Sequence, residues 1–403
     1  MNKTVPLSRA AKYSIKKINA NDVALDNFIT TDNILQNKAG VTVANNLPPS
    51  ENSMPSFEKD DILVGNIRPY LKKIWFANRK GGCSADVLVF TVNNGYNPKF
   101  VYYSLLRDDF FIHMMKGAKG TKMPRGDRGQ IMEFLLPDFD LPTQQKIANV
   151  LSAMDAKIEL NQRINNELEL MAKTLFEYWF VQFDFPNEKG QPYKTSGGKM
   201  VWNDVLKREI PLGWKDKGLS EITEISTESI NPMNFPDEEF RYYSIPSFDE
   251  IGTYKIEKGG VIMSNKFSVL VSDILVSKLN PWFNRVVYTT DESNLVCSTE
   301  FVVWRTSDFA IKNFLYMVAR DSSFKSYCMK SATGTSNSHK RVNPDVMMKY
   351  KVAYNKDQIM KFGNSINSII RMVTKNKVEI KTLIELRDWL LPLLMNGQVK
   401  VRN

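Results

Sequence analysis

Two kinds of segment in this sequence place cations beside aromatic or amide side chains, a combination suited to a polyanion. The first kind follows a short strand pattern and offers Arg68, Tyr70, Lys72, Lys73 and Trp75. A matching stretch later in the chain offers Lys278, Asn280, Trp282, Asn284 and Arg285. Cations bind phosphates, and guanidinium, amide and aromatic groups reach base edges, so nucleic-acid contact is indicated. A solvated strand edge guarded by lysine remains the alternative.

The second kind is a basic loop rich in glycine. Residues 116–129 offer Lys119, Thr121, Lys122, Arg125 and Arg128. Residues 330–341 match them and offer Thr335, Asn337, Ser338, His339, Lys340 and Arg341. Glycine permits close approach of the backbone to a ligand, while Arg, Lys and Asn pair with purine edges. The loop recurs with different polar residues, as two modules reading different sequences would require; an ordinary mobile basic loop is the alternative.

These segments belong to an internal duplication. The sequence DILV at residues 61–64 recurs at 273–276, and the octet CSADVLVF at 83–90 corresponds to CSTEFVVW at 297–304. Both octets predict strands. A repeat of this length indicates two copies of one module rather than a single large core.

A long helical pattern follows each copy. From Ile147 to Trp179, and again from Phe362 to Leu390, apolar residues recur at alternating steps of four and three. This spacing predicts a coiled-coil seam, with Asn161 and Asn376 as equivalent polar positions within it. A face of an ordinary helical bundle is the alternative. Some apolar residues are expected to remain exposed as an interface, namely Leu170, Phe176 and Phe180.

The expected fold class is α+β, with two repeated α/β modules, each followed by a long helix, and the two helices paired as an antiparallel coiled coil. The predicted divisions are residues 1–140 for the first module, 141–182 for the first helix, 183–213 for a central connector, 214–354 for the second module, and 355–403 for the second helix and tail. Antiparallel helices would place the modules at opposite ends of a rod.

Composition limits the partners and the chemistry. Among 403 residues, 54 Lys and Arg against 44 Asp and Glu give a net charge of +10, which favours a polyanionic partner. The three cysteines form no CxxC pair and there are two histidines, so zinc and disulfides are not expected. We expect no membrane span and no signal peptide, and therefore a cytoplasmic protein.

Three catalytic patterns are incomplete. Asp138 with Asp155 and Lys157 fits a loose nuclease signature, but the last two lie within the helical stripe. The sequence Asn-Pro-Trp-Phe at 280–283 is similar to the target-amine loop of amino-methyltransferases, yet no glycine-rich cofactor turn accompanies it. Gly-Gly-Lys at 197–199 lacks the Ser or Thr of a phosphate loop. We therefore expect no catalytic residue and no metal ligand.

Several runs resemble the specificity subunits of type I restriction-modification systems. LPTQQKIA at 141–148 resembles the start of their spacer helix. FDFPN at 183–187, GQPYK at 190–194, SGGKM at 196–200 and IPLGW at 210–214 resemble their central region. The resemblance covers essentially the whole chain in organisation. The second helix departs from it, since KDQI at 356–359 lacks the proline.

This resemblance implies a non-catalytic subunit whose two target-recognition domains each read half of a split double-stranded DNA target. It further implies docking of two methyltransferase subunits, which bring S-adenosylmethionine, and of ATP-dependent restriction subunits, which bring ATP and Mg. No cofactor is expected in this chain. A stand-alone DNA methyltransferase or nuclease and a coiled-coil scaffold that binds only protein are the alternatives.

Overall fold

A computed structural model describes residues 3–47, 53–334 and 339–401. The chain forms two compact units. Unit 1 comprises Met1–Glu159 and Thr382–Asn403, and unit 2 comprises Leu160–Lys381. Both long helices contribute to both units. Because the unit boundaries cut across the helices, the fivefold division of the sequence stays a prediction.

Unit 1 contains ten short strands, four short helices and the start of a long helix within its described residues. The strands are β1 Thr4–Pro6, β2 Ala11–Tyr13, β3 Lys17–Asn19, β4 Phe28–Ile29, β5 Ser53–Phe57, β6 Ile62–Gly65, β7 Ile74–Phe76, β8 Gly81–Cys83, β9 Val87–Val92 and β10 Leu135–Pro137. The helices are α1 Leu7–Ala10, α2 Pro98–Leu105, α3 Asp108–Lys116, α4 Arg128–Ile131 and α5 Leu141–Phe176.

Unit 2 repeats this arrangement after a π-helical turn, Glu177–Val181. Its strands are β11 Met200–Asn203, β12 Arg208–Pro211, β13 Lys215–Gly218, β14 Glu224–Ser226, β15 Ser229–Ile230, β16 Glu239–Tyr243, β17 Lys255–Lys258, β18 Lys266–Ser268, β19 Asp273–Ser277, β20 Val286–Tyr288, β21 Leu295–Cys297, β22 Phe301–Arg305 and β23 Lys351–Tyr354. The helices are α6 Ile245–Ile251, α7 Phe309–Arg320, α8 Ser322–Ser331, α9 Pro344–Met348 and α10 Lys356–Met395.

The sheet topology shows the duplication directly. One sheet of unit 1 has the order β2-β9-β6-β7, and its counterpart in unit 2 has the order β14-β22-β19-β20, both antiparallel. A second sheet follows in each unit, with orders β3-β5-β8-β4 and β15-β18-β21-β16-β17. The first and last strands of each copy also pair, β1 with β10 and β13 with β23. Two copies of one module are therefore confirmed.

The sequence predicted that each octet is a single strand, and this prediction is wrong. A turn interrupts each of them, because the amide of Val87 donates to the carbonyl of Ser84, and that of Phe301 to Ser298, at 3.0 Å in both copies. The cysteine end of each octet lies in one sheet and the aromatic end in the other. The turn lets the chain change sheets while the apolar residues on both sides stay buried.

The two long helices run in opposite directions where they meet inside each unit. In unit 2, Asn161 donates to Glu379 at 2.9 Å, Asn376 to Asn165 at 2.9 Å, and Lys377 to Glu169 at 2.8 Å. In unit 1, Arg387 of α10 donates to Asp155 of α5 at 2.8 Å. Within unit 2, Asn161 of α5 contacts Glu379 of α10 whereas Phe176 contacts Phe362, which is the antiparallel order.

Each core takes the start of one long helix and the end of the other. In unit 1, Ile147 and Leu151 of α5 share a buried cluster with Leu391 and Leu394 of α10. In unit 2, the end of α5 and the start of α10 lie in one buried cluster that includes Phe176 and Phe362.

Two apolar residues predicted to be exposed are buried. Phe176 and Phe180 are each 6% exposed, and their rings lie 6.1 and 4.8 Å from that of Phe314. Leu170 is 63% exposed, as predicted. Burying an aromatic side chain contributes about 1.5 to 3 kcal/mol, so this end of α5 is part of the core of unit 2.

The predicted connector is folded onto unit 2. Phe185 stacks on Trp214 with 5.2 Å between ring centroids, and Phe183 and Ile210 are each 1% exposed. The hairpin of β11 and β12 lies within this segment. The glycines and prolines of the connector form local turns, and the connector remains packed against the core of unit 2.

We predict that replacing Asn165 by Leu lowers the thermal stability of the protein by about 1 to 3 kcal/mol, because Asn376 loses its acceptor in a half-buried seam. The double variant Asn165→Leu, Asn376→Leu is expected to recover most of that loss, since no polar partner is left unpaired. Thermal unfolding of the three proteins measures both effects. A double variant less stable than either single variant would contradict this role of the pair.

We predict that Leu394→Ala destabilises unit 1 by about 2 to 5 kcal/mol, because it leaves a cavity in that core. Hydrogen exchange of α2 and α3 would report the loss within unit 1. Leu386→Ala on the same helix is the matched control, since Leu386 is 40% exposed whereas Leu394 is 2% exposed. Equal effects of the two variants would show that α10 does not complete the core.

Candidate nucleic-acid interface

A turn of unusual backbone geometry follows the central strand of each main sheet. After β6, Arg68 and Lys72 both have φ of 52° and enclose a single 3-10 turn, Pro69–Leu71. After β19, Asn280 and Asn284 both have φ of 49° and enclose Pro281–Phe283. Residues other than glycine rarely adopt this left-handed conformation, which costs about 1 to 3 kcal/mol where other contacts enforce it. The same strained turn thus occurs in both copies, although four of its five residue types differ.

The basic loop of unit 1 is hydrogen-bonded to this turn. The amide of Arg68 donates to the carbonyl of Pro124 at 2.8 Å, and the amide of Gly126 donates to Asn66 at 3.3 Å. Arg125 and Lys119 exchange two backbone hydrogen bonds of 2.9 Å, which close the loop into a short hairpin. The left-handed φ of Gly120, 98°, permits the tight return of the chain. The two segments singled out in the sequence therefore form one surface.

Unit 2 repeats these bonds. The amide of Asn280 donates to Lys340 at 2.7 Å, and that of Val342 to Lys278 at 3.0 Å. Arg341 and Thr333 exchange backbone hydrogen bonds of 2.8 and 2.9 Å. The side chain of Asn280 also accepts from the Lys340 amide at 3.1 Å. The backbone frame is shared, whereas the side chains that it carries differ between the copies.

A carboxylate holds the loop arginine in both copies. In unit 1, Nε of Arg125 donates to Oδ1 of Asp86 at 3.1 Å. In unit 2, Nε and Nη2 of Arg341 donate to the carboxylate of Glu300 at 2.9 and 3.0 Å. Asp86 and Glu300 occupy equivalent positions in the turns that interrupt the two octets. The arginine side chains remain half exposed, at 52% and 44%.

The surface of unit 1 exposes most of its predicted contact residues. Tyr70 is 51% exposed, and the guanidinium of Arg128 lies 5.5 Å from the ring of Tyr13, whose hydroxyl donates to the Arg128 carbonyl at 3.0 Å. The remaining exposed members of the set are Lys119, Thr121, Lys122 and Arg125. This is a basic surface with aromatic groups at its margin, as phosphate and base contact require.

In unit 2, fewer of the predicted contact residues are exposed. His339 and Arg341 are exposed, whereas Lys278, Asn280, Trp282 and Lys340 are half-buried. Thr335, Asn337 and Ser338 lie outside the described residues. Phe283, which was not among the predicted contact residues, is 59% exposed and lies against the Arg285 guanidinium at 4.4 Å.

Four of the predicted contact residues have hydrogen-bond partners within the protein. Arg285 is 8% exposed and donates two hydrogen bonds to Asp249, at 2.6 and 2.7 Å. The ammonium of Lys73 donates to the carbonyl of Thr31, and burial lowers the pKa of this lysine. Two further side chains hold the turn, since Lys72 donates to Asp108 at 2.9 Å and Asn284 to the Arg320 carbonyl at 3.3 Å. Arg285 and Lys73 therefore support the turn, and their contact with DNA stays a prediction.

The incomplete catalytic patterns acquire structural explanations. Asp155 accepts from Arg387 at 2.8 Å and from the hydroxyl of Tyr103 at 2.6 Å, inside unit 1. The sequence at 280–283 is part of the left-handed turn that Arg68–Leu71 also forms. Among the described residues, no group of three or more His, Cys, Asp and Glu is arranged to hold a metal ion.

The thiols of the three cysteines are buried, and burial raises the pKa of Cys83 and of Cys328 to about 12. Within the described ranges, no helix has the length and apolar character needed to cross a lipid bilayer.

Comparisons with known proteins agree with the architecture. Residues 7–170 match the family described as the type I restriction modification DNA specificity domain. The chain is 25% identical to the HindI specificity subunit of Haemophilus influenzae, over 92% of this chain and 94% of that protein. It is 26% identical to the MjaIX specificity subunit of Methanocaldococcus jannaschii, over 76% and 70% of the two chains.

A solved structure shares the fold. The crystal structure of the S subunit of a type I restriction-modification system from M. genitalium matches 98% of this chain and 96% of its own, with a TM-score of 0.61 and 15% identity.

We predict that Arg285→Ala destabilises unit 2 by about 1 to 3 kcal/mol, because the carboxylate of Asp249 and the carbonyl of Leu279 lose their donors. Thermal unfolding measures the loss. Lys340→Ala removes a half-buried cation of the same surface and is expected to change stability by less than about 0.5 kcal/mol. Equal stability of the two variants would contradict a structural role for Arg285.

Proposed function

We propose that this chain is a specificity subunit of a type I restriction-modification system, as its similarity to that family supports, and that each of its two modules reads one half of a bipartite double-stranded DNA target. The loop and turn of each module would contact the DNA, with cations on phosphates and with arginine, asparagine and aromatic groups at base edges. The observation that carries this proposal is the recurrence of one hydrogen-bonded frame with different exposed side chains.

The proposed chemistry is recognition without catalysis by this chain. The carboxylate that a nuclease pattern would need, Asp155, is already bound by Arg387 and Tyr103. The partners proposed are two methyltransferase subunits, which would supply S-adenosylmethionine and the adenine chemistry, and restriction subunits, which would use ATP and Mg. Apolar residues exposed on the β11–β12 hairpin, Val201, Trp202 and Val205, offer surface for a protein partner.

We predict that replacing both Arg125 and Arg128 by Ala relaxes or weakens reading of one half of the target only, because both side chains lie on the surface of unit 1. Selection of bound sequences from a random DNA library by the full chain would show which positions lose their preference. The slope of log affinity against log salt is expected to fall by about one per phosphate contact removed.

Lys59→Ala is the matched control. Lys59 is exposed just before β6, at the opposite end of the strand from Arg68. Its loss is expected to leave both halves of the target unchanged. Equal weakening of both halves by the double arginine variant would contradict separate reading by the two modules, and a chain that selects no sequence would contradict the proposed function itself.

A further inference from the structure

We propose that Asp86 and Glu300 are positioning residues, which orient the loop arginines Arg125 and Arg341 so that each presents the edge formed by Nη1 and Nη2 to a guanine of the DNA target. This inference rests on the proposed function and adds to it a base and a mechanism of selection. Neither carboxylate would itself need to contact the DNA.

The first support is the recurrence of the pair. The two copies share few surface residues, yet each places an acidic residue in the turn before β9 or β22 and an arginine at the closing position of the loop. The backbone brings them together in the same way: Asn66 donates to the Asp86 carbonyl at 2.9 Å, and Lys278 to the Glu300 carbonyl at 3.0 Å. A chance ion pair on a mobile surface would not be tied to equivalent backbone hydrogen bonds in both units.

The second support is which guanidinium nitrogens the carboxylates occupy. Asp86 accepts from Nε alone, and Glu300 accepts from Nε and Nη2. Both carboxylates therefore lie on the Nε side of the guanidinium plane. The opposite edge, formed by Nη1 and Nη2, carries two parallel N–H groups, the arrangement that pairs with O6 and N7 of guanine in the major groove.

The third support is electrostatic. An unpaired arginine binds any phosphate, which contributes affinity without sequence information. A carboxylate at its side offsets the charge and repels phosphates, while the directional hydrogen bonds to a base edge remain. The pair therefore favours bases over backbone. It also lowers the rotamer entropy that the arginine would lose on contact, since the side chain is already held.

The test uses the full chain and the sequence that it selects. One guanine in the half read by unit 1 is replaced by 7-deazaguanine, which lacks the N7 acceptor. Wild-type affinity is expected to fall about tenfold, and Arg125→Ala is expected to abolish this difference. Asp86→Ala is expected to reduce the penalty to about threefold or less while affinity for unrelated DNA rises, because a negative charge is removed from the surface.

Several variants separate positioning from folding. Asp86→Asn keeps an acceptor for Nε and is expected to retain an intermediate 7-deazaguanine penalty. Glu300→Ala should relax a guanine in the other half of the target and leave the first half unchanged. Asp26→Ala, which removes an exposed carboxylate elsewhere in unit 1, is expected to leave the penalty intact.

The inference is overturned if Asp86→Ala retains the full penalty, or if it loses affinity for target and unrelated DNA in equal measure, as a collapsed loop would. It is also overturned if wild-type binding is selective and depends on Arg125 but is insensitive to 7-deazaguanine at every guanine; the proposed function then stands. A wild-type chain without sequence preference overturns both.

Discussion

A long helix with one narrow apolar stripe is stable in water only where another surface covers that stripe. In this chain, the stripe of each helix is buried in one core at its start and in the other core at its end. The start of α5 packs into the core of unit 1 with the end of α10, and the end of α5 packs into the core of unit 2 with the start of α10. Because the helices are antiparallel, each core receives the start of one helix and the end of the other. The same heptad pattern in both helices therefore suits both cores.

Polar contacts between the helices define their register. Asn161 with Glu379, and Asn165 with Asn376, are separated by one helical turn. Sliding one helix along the other would leave these groups without partners at a cost of about 1 to 3 kcal/mol for each unsatisfied group. A seam of leucine alone would tolerate such slippage better. The asparagines therefore contribute specificity of alignment more than stability.

Features that produce a periodic or repeated pattern of residues could be predicted from the sequence. The duplication and the two long helices were predicted because identical residues and heptad spacing report on the local backbone. The octets were misread, because apolar residues on both sides of Ser84 and Ser298 concealed a turn. Phe176 and Phe180 were misplaced, because residues that bury them, such as Phe314 and Phe362, lie far away in the sequence.

The candidate surface was predicted in outline but not in detail. Residue type identified the two basic segments, and the structure joins them through hydrogen bonds such as that from Arg68 to Pro124. Sequence gave no sign that Arg285 is bound by Asp249, 36 positions earlier. The alignment of Asp86 with Glu300 was visible, yet their pairing with arginines in a later loop depends on the fold.

The division of unit 1 into two stretches of chain has a consequence for synthesis on the ribosome. Unit 2 is continuous in sequence, whereas the core of unit 1 needs Leu391, Leu394 and Met395. The part that is translated first is therefore the last to be completed, and it must wait, with apolar surface uncovered, while more than two hundred further residues are added. During that interval the nascent chain is a natural client for a chaperone.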